Sequence, residues 1–303
     1  MSSLLQRTLL ASRWLFAPAS VIFLLLAGYT SRESFQHALI NAHMLPLAIA
    51  VLLCATMHLV TPIFSWLVLR ESEVHIPYAI ALRIHVSRLP ARYLPGGIWQ
   101  TVSRMTDLHR IGVNRSQLTT LIMMENLVPL GVSLAFGGLL MGLAGDTRLL
   151  ILAPMLGGLL LLAITPLALR HRLLLHIKGF ALARYVILIA VTTAFWVIAA
   201  SAFACYWSAF PATGSGLPLL KIFGSYLLAW AAGFAAIFAP QGIGVFESVA
   251  GLLLHGSLPF GGIAVLISGF RATVLAGDLL TYGVFLLLRH GQSRCREGLD
   301  NRH

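Results

Sequence analysis

The chain has 303 residues, is 58% hydrophobic and only 10% charged, and carries a formal net charge of +11 with a mean hydropathy of +0.86. A soluble domain carries about 25% charged residues, and a core of this size cannot hide so much apolar surface, so a water-soluble protein is excluded. The expected fold class is an all-α polytopic membrane protein of the inner (plasma) membrane. The basic excess does not point to nucleic acid, because the Lys and Arg residues lie between apolar runs and not on one soluble face. They read as topology signals and contacts to anionic lipid.

A bilayer-crossing helix needs ~20 apolar residues. In chain order the candidates are 14–31, 45–69, 118–143, 149–170, 184–208, 219–239 and 262–288. The first follows Arg7 and Arg13 and is similar to a signal peptide, but no clear small-x-small cleavage site closes it, so a retained helix is expected. An eighth segment, 243–258, is apolar but short, is bracketed by glycines and contains Glu247 and His255. Basic residues cluster at the N-terminus (Arg7, Arg13), in 70–117 (Arg70, Arg83, Arg88, Arg92, Arg104, Arg110, Arg115), in 170–184 (Arg170, Arg172, Lys178, Arg184) and in the tail (Arg289, Arg294, Arg296, Arg302). The intervening connections hold only Arg32, Arg148 and Lys221. This alternation follows the positive-inside rule and places both termini in the cytoplasm. An even number of crossings is then required, so 243–258 is expected to cross, or nearly cross, as the eighth.

Residues 76–117 are long for a loop and alternate apolar with basic residues: Ile84, Val86, Leu89, Tyr93, Leu94, Ile98, Trp99, Val102 and Met105 against Arg83, Arg88, Arg92 and Arg104. At helical spacing this predicts basic amphipathic pieces at the interface. Among them stands Arg92-Tyr93-Leu94-Pro95-Gly96-Gly97-Ile98-Trp99, with a counterpart in Pro240-Gln241-Gly242-Ile243-Gly244-Val245-Phe246-Glu247. Pro and Gly free backbone groups that lipid cannot satisfy, so such breaks line protein cavities, and a matched pair in two halves points to a transporter-type site. Helix-broken or re-entrant segments are expected near 90–105 and 240–258. The single transmembrane domain, 1–288, divides on this reading into two parallel repeats, about 14–170 and 184–288, before a basic cytoplasmic tail, 289–303.

The Arg-Tyr-Leu-Pro-Gly-Gly-Ile-Trp stretch, Arg104 and the Gly112 region, the span with Glu125, and the late Pro-x-Gly-Ile-Gly-Val-Phe-Glu motif resemble the transmembrane domain of lysylphosphatidylglycerol synthases. The resemblance runs from about Arg70 to Leu288. It implies a flippase-like protein that moves lipids or lipid-linked precursors between leaflets. The full synthases carry a separate soluble domain for aminoacyl transfer. Only fifteen residues follow Leu288, so that activity is not expected of this chain.

Charged residues within apolar spans cost ~2.5–3.5 kcal/mol each on insertion scales and therefore face a partner or a wet cavity. Glu125 lies in 118–143 with Asn126 and Pro129, Glu247 opens 243–258, and Arg271 and Asp278 share a face of the last span. In the functional reading these line a substrate-binding cavity. Arg271 holds a lipid phosphate, Glu247, Glu125 or Asp278 balances it or carries protons, and Arg92 and Arg104 grip the head group beside Pro95, Gly96 and Gly97. The break at Pro240, Gly242 and Gly244 adds backbone N–H groups. In the structural reading the charges are ion pairs that lock helices, Glu247 with Arg271 for example, Asp278 simply partners Arg271, Glu125 is solvated near an interface, and the arginines only fix topology.

No catalytic, cofactor or metal site is expected. Cys54, Cys205 and Cys295 lack metal or redox spacing, the histidines lack a ligand spacing, and no nucleotide-binding loop is present. Ser215 and His255 faintly resemble an intramembrane serine protease pair, but Ser215 sits in a Pro- and Gly-rich turn. Gly138 with Gly142, and Gly157 with Gly158, predict close helix packing. Three functions fit: a translocase for lipids or lipid-linked precursors, a membrane-embedded lipid-modifying transferase, or a scaffold for envelope-biosynthesis enzymes. The expected partners are membrane lipids, anionic or polyprenyl-linked, and those enzymes.

Overall fold

A computed structural model describes residues 40–70, 75–94, 98–146, 148–172, 182–210, 216–236, 239, 242–254 and 260–300, together with Tyr29; at 168–172, 260–262 and 291–300 it describes the backbone alone. The expected first crossing, 14–31, apart from Tyr29, the residues Pro95, Gly96, Gly97 and Pro240, and Ser215 and His255 lie outside these residues. Among the described residues every regular element is helical, and the protein is an all-α polytopic membrane protein. In chain order the helices are α1 (Met44–Leu69), α2 (Tyr78–Ser87), a 3-10 turn (Leu89–Tyr93), α3 (Trp99–Arg110), α4 (Arg115–Leu143), α5 (Leu149–Arg172), α6 (Leu182–Ser208), α7 (Leu219–Ala235), α8 (Val245–Leu253) and α9 (Phe260–Asp300).

Five of these, α1, α4, α5, α6 and the stretch Ile263–His290 of α9, are long and apolar enough to cross a membrane. They coincide with five of the expected spans. At 17 residues α7 ends short of the expected 219–239, and Gly242 and Gly244 then take φ of +67° and +85°. A side chain resists that left-handed backbone, so glycine is required at both points. Gly242 also abuts Gly233 of α7, where a Cβ would lie 2.8 Å from the Gly233 Cα. The chain thus reverses tightly, and α8 packs back on α7. Its nine residues rise only about 13.5 Å against a hydrocarbon core of about 30 Å. The described part of the 243–258 segment, up to Leu254, is therefore broken from α7 at the glycines, as expected, and its helix alone does not cross.

Helix α1 packs on α6, α9 and α2, while α4 packs on α5 and α7. Gly138 and Gly158 permit the close approach of α4 and α5: a Cβ at Gly138 would meet the Met155 Cβ at 2.6 Å, and one at Gly158 the Ala135 nitrogen at 2.5 Å. Gly142 and Gly157 face open space, so one glycine of each expected pair does the packing. Asn114 caps α4, its side chain accepting from the Gln117 N–H while Gln117 reaches back to the Asn114 N–H.

Prolines interrupt three spans, at Pro62, Pro129, and Pro154 and Pro166. Each removes the N–H that would bond four residues back. Tyr185 donates its hydroxyl to the Leu162 carbonyl, the group Pro166 leaves without a helical donor, at 2.7 Å. The groups four residues before Pro62 and Pro129 are His58 and Glu125. Both polar side chains thus project from helices loosened at their own turn.

An aromatic core fills the space between α6, α7, α8 and α9. Phe203 stacks on Tyr226 with centroids 5.1 Å apart and meets Phe246 and Phe270 edge-on, and Trp196 lies 4.5 Å from Trp230. The N–H of His43 at the head of α1 donates to Ala209 at the foot of α6, and Tyr206 of α6 donates to Leu266 near the start of α9 at 2.6 Å. So α1 and α9 begin at the same end of the bundle and run parallel.

Candidate functional site

Parallel α1 and α9 bring three polar clusters into one file. The central cluster lies near the middle of both helices. His58 of α1 is 2.7 Å from Asp278 Oδ1 through Nε2, and 3.1 Å from His85 Nε2 of α2 through Nδ1. Tyr93 donates to the other carboxylate oxygen at 2.7 Å, and Arg92 reaches it at 3.3 Å. His58, His85 and Asp278 are all buried, at 5%, 4% and 3% exposure, whereas Tyr93 and the Arg92 side chain are about half-exposed. Asp278 therefore pairs with His58, Tyr93 and Arg92, and not with Arg271.

Seven residues after His58, on the same face of α1, Ser65 enters the second cluster. Arg104 of α3, 7% exposed, donates to Glu125 Oε1 of α4 at 2.7 Å and to Ser65 at 2.9 Å, and Ser65 donates to the same Glu125 oxygen at 2.6 Å. Glu125 is thus paired, not merely solvated. The expectation of amphipathic pieces at the interface also changes here. Trp99 and Val102 of α3 face outward while Arg104 turns inward, because Glu125 at membrane depth offers compensation that no lipid tail can. Arg88 ties α2 to α3 through a two-pronged contact to Asp107, at 2.6 and 2.9 Å.

Seven residues before Asp278, on the same face of α9, Arg271 enters the third cluster. Its Nε donates to Glu247 Oε1 at 2.7 Å. Glu247 is wholly buried and accepts the Gly244 N–H on its other oxygen at 2.7 Å. This is half of a capping box, since glycine has no side chain to supply the other half. The guanidinium carbon of Arg271 also lies 5.9 Å from the Phe246 ring centre.

Seven helical residues rise about 10 Å, so the clusters stand at steps of about 10 Å along the bundle axis. From the end where α1 and α9 begin, the order is Glu247–Arg271, His58–His85–Asp278–Tyr93–Arg92, and Ser65–Arg104–Glu125. The two outer pairs share a pattern. A short helix after each glycine motif carries one charge, and the next long helix carries its opposite 21 or 24 residues later. The signs are inverted: Arg104 with Glu125, then Glu247 with Arg271.

Of the expected site residues, Arg92, Arg104, Glu125, Gly242, Gly244, Glu247, Arg271 and Asp278 are thus described and fall in or beside this file. His58, His85, Ser65 and Tyr93 were not expected there. Among the described residues no group of three or more His, Cys, Asp or Glu side chains is arranged to hold a metal ion. No family model and no curated protein matches the chain.

Proposed function

We propose that this membrane protein translocates, or binds for transfer, a lipid or lipid-linked precursor between leaflets, with the anionic head group engaged by the arginines of the polar file and by backbone N–H groups at the helix breaks. The observation that supports this reading is the file itself: arginine–carboxylate contacts recur at three levels through a bundle whose surroundings are lipid. Charges at that depth are costly and mark substrate or ion pathways. A head-group phosphate exchanges with Glu247, Asp278 or Glu125 for the adjacent guanidinium, so each arginine stays paired while the anion moves. Carboxylates as placeholders keep the file neutral when no lipid is bound.

Membership of the flippase-like family suggested by the two glycine motifs, two repeats of similar plan, and eight crossings with both termini cytoplasmic belong to the same proposal. The matched outer pairs support the repeats. The substrates that suit it are phosphatidylglycerol derivatives, polyprenyl-linked sugars and other isoprenoid lipids. The test is leaflet redistribution of labelled anionic lipid in proteoliposomes, with mass spectrometry of co-purified lipid to choose the label. Wild-type protein is expected to redistribute lipid faster than the Arg271→Ala, Glu247→Ala variant. Equal rates overturn the reading.

A further inference from the structure

The central cluster differs from the other two. Beside its Arg92–Asp278 ion pair it holds a chain of titratable groups, His85 to His58 to Asp278, buried between α1, α2 and α9 and touched by half-exposed Tyr93 and Arg92. Its far end is singular: His85 Nδ1 is buried and has no hydrogen-bond partner. A buried polar atom of that kind carries a desolvation cost with no compensating bond. An apolar residue there would avoid it.

We propose that His85, His58 and Asp278 form a proton-binding relay at the centre of the span, and that the proton it carries is coupled to movement of the anionic head group. The coupling rests on the translocase reading above; the relay itself does not.

With both rings neutral and Asp278 ionised, the contacts admit one arrangement. His58 Nε2–H donates to Asp278, His85 Nε2–H donates to His58 Nδ1, and His85 Nδ1 holds an unshared electron pair. A proton from water that binds His85 Nδ1 forms a new N–H bond there. The His85 Nε2–H bond then breaks and an N–H bond forms at His58 Nδ1. One proton has entered, every contact is retained with its direction reversed at the first link, and the positive charge now sits on His58 beside the Asp278 carboxylate. A further shift from His58 Nε2 to Asp278 Oδ1 leaves a neutral ring and a neutral acid. In either state the negative charge that Asp278 presents to Arg92 is cancelled. Arg92 makes the longest of the three contacts to Asp278 and is the charged partner whose side chain is about half-exposed, so its guanidinium is the group handed over to an anion. Proton and anion uptake therefore favour each other, as reciprocal linkage requires.

The groups that set the charge around the relay come from each neighbouring element. They are Asp278 from α9, Arg92 and Tyr93 from the 3-10 turn, Arg104 from α3, Glu125 from α4 through Arg104, and Cys54 from the preceding turn of α1. The remaining neighbour of α1, helix α6, carries Arg184, Tyr185, Cys205 and Tyr206 near its two ends.

Two measurements test this. The first uses wild-type protein labelled with 15N-histidine in nanodiscs, without added ligand, and reads protonation and tautomer from the ring nitrogens between pH 4.5 and 9. Two rings that share one added proton are expected, with the sharing lost in His85→Gln. Rings that titrate independently, or not at all, overturn the relay. The second places wild-type protein in proteoliposomes loaded with a pH dye and follows labelled anionic lipid with and without a pH gradient. One proton per lipid over one pH unit shifts the steady leaflet ratio by up to about tenfold, because one unit is 1.36 kcal/mol, and a dye signal accompanies it. Redistribution that ignores the gradient and moves no protons overturns the coupling and leaves the translocase reading standing. No redistribution under any gradient overturns both that reading and the coupling, while the ring titration still decides the relay.

Discussion

His58 and Asp278 are 220 residues apart in the chain and 2.7 Å apart in the fold. That contact joins the first described span to the last, and it sets the register of α1 on α9. Cys54, one turn before His58, lies against Gly277, the residue before Asp278, where a Cβ on Gly277 would meet the Cys54 Cβ at 2.6 Å. A small residue on α9 is what lets the helices close enough for a histidine to reach the carboxylate.

Loss of Glu125 leaves Arg104 buried without its counter-charge. Breaking a buried pair from one side costs about 3–5 kcal/mol. Glu125→Ala is expected to lower the unfolding midpoint in detergent sharply, and Arg104→Ala likewise. The double variant, with no orphaned charge, is expected to be more stable than either single one. A double variant at the sum of the two single losses contradicts the pair as the main interaction.

Gly242 meets two demands at once, a left-handed backbone and contact with Gly233. Gly242→Ala adds a clash to a backbone penalty of about 1–2 kcal/mol and is expected to separate α8 from α7. Gly145, at φ +91° with nothing within 4 Å of where a Cβ would stand, carries the backbone penalty alone. Thermal unfolding is expected to rank Gly242→Ala well below Gly145→Ala.

The Tyr185 hydroxyl serves a carbonyl that Pro166 strands, so the two residues are coupled. Tyr185→Phe is expected to cost about 1–3 kcal/mol in the native background. In a Pro166→Ala background the helix supplies its own N–H to Leu162, and the same change is expected to cost less. A double-mutant cycle in unfolding free energy reads the difference.

Trp196 spans α6 and α4, donating its indole N–H to the Pro129 carbonyl at 3.1 Å from within the aromatic core. Trp196→Phe keeps an aromatic ring but removes the second donor to that carbonyl, which the helical N–H of Ser133 still serves, with an expected loss of about 0.5–1.5 kcal/mol. Restoration of wild-type stability by Trp196→Phe would contradict the role of the bond.

Much of the scaffold is legible in the sequence because lipid imposes a simple rule of length and polarity. The spans at 45–69, 118–143, 149–170 and 184–208 return almost residue for residue. The Glu247–Arg271 pair was also one of the two readings open to the sequence. The central cluster was not. His58 sits in an apolar run and His85 in a basic amphipathic stretch, and neither shows ligand spacing. What joins them is tertiary, the parallel approach of α1 and α9 with α2 laid against both. One local signal was present: His58 and Glu125 each stand four residues before a proline, a place where a helix is already loosened. Arg104 was legible as a cation but not as a buried one, since its burial depends on Glu125, 21 residues away.

The three-level file also gives the protein an electrical dimension. A unit charge that steps between neighbouring clusters travels about 10 Å, a third of a hydrocarbon core of about 30 Å. Moving it through the whole field is worth about 2.3 kcal/mol per 100 mV, so each step is biased by about 0.8 kcal/mol at that voltage. On the proposed translocase reading, membrane potential would bias which of the three arginines an anion occupies.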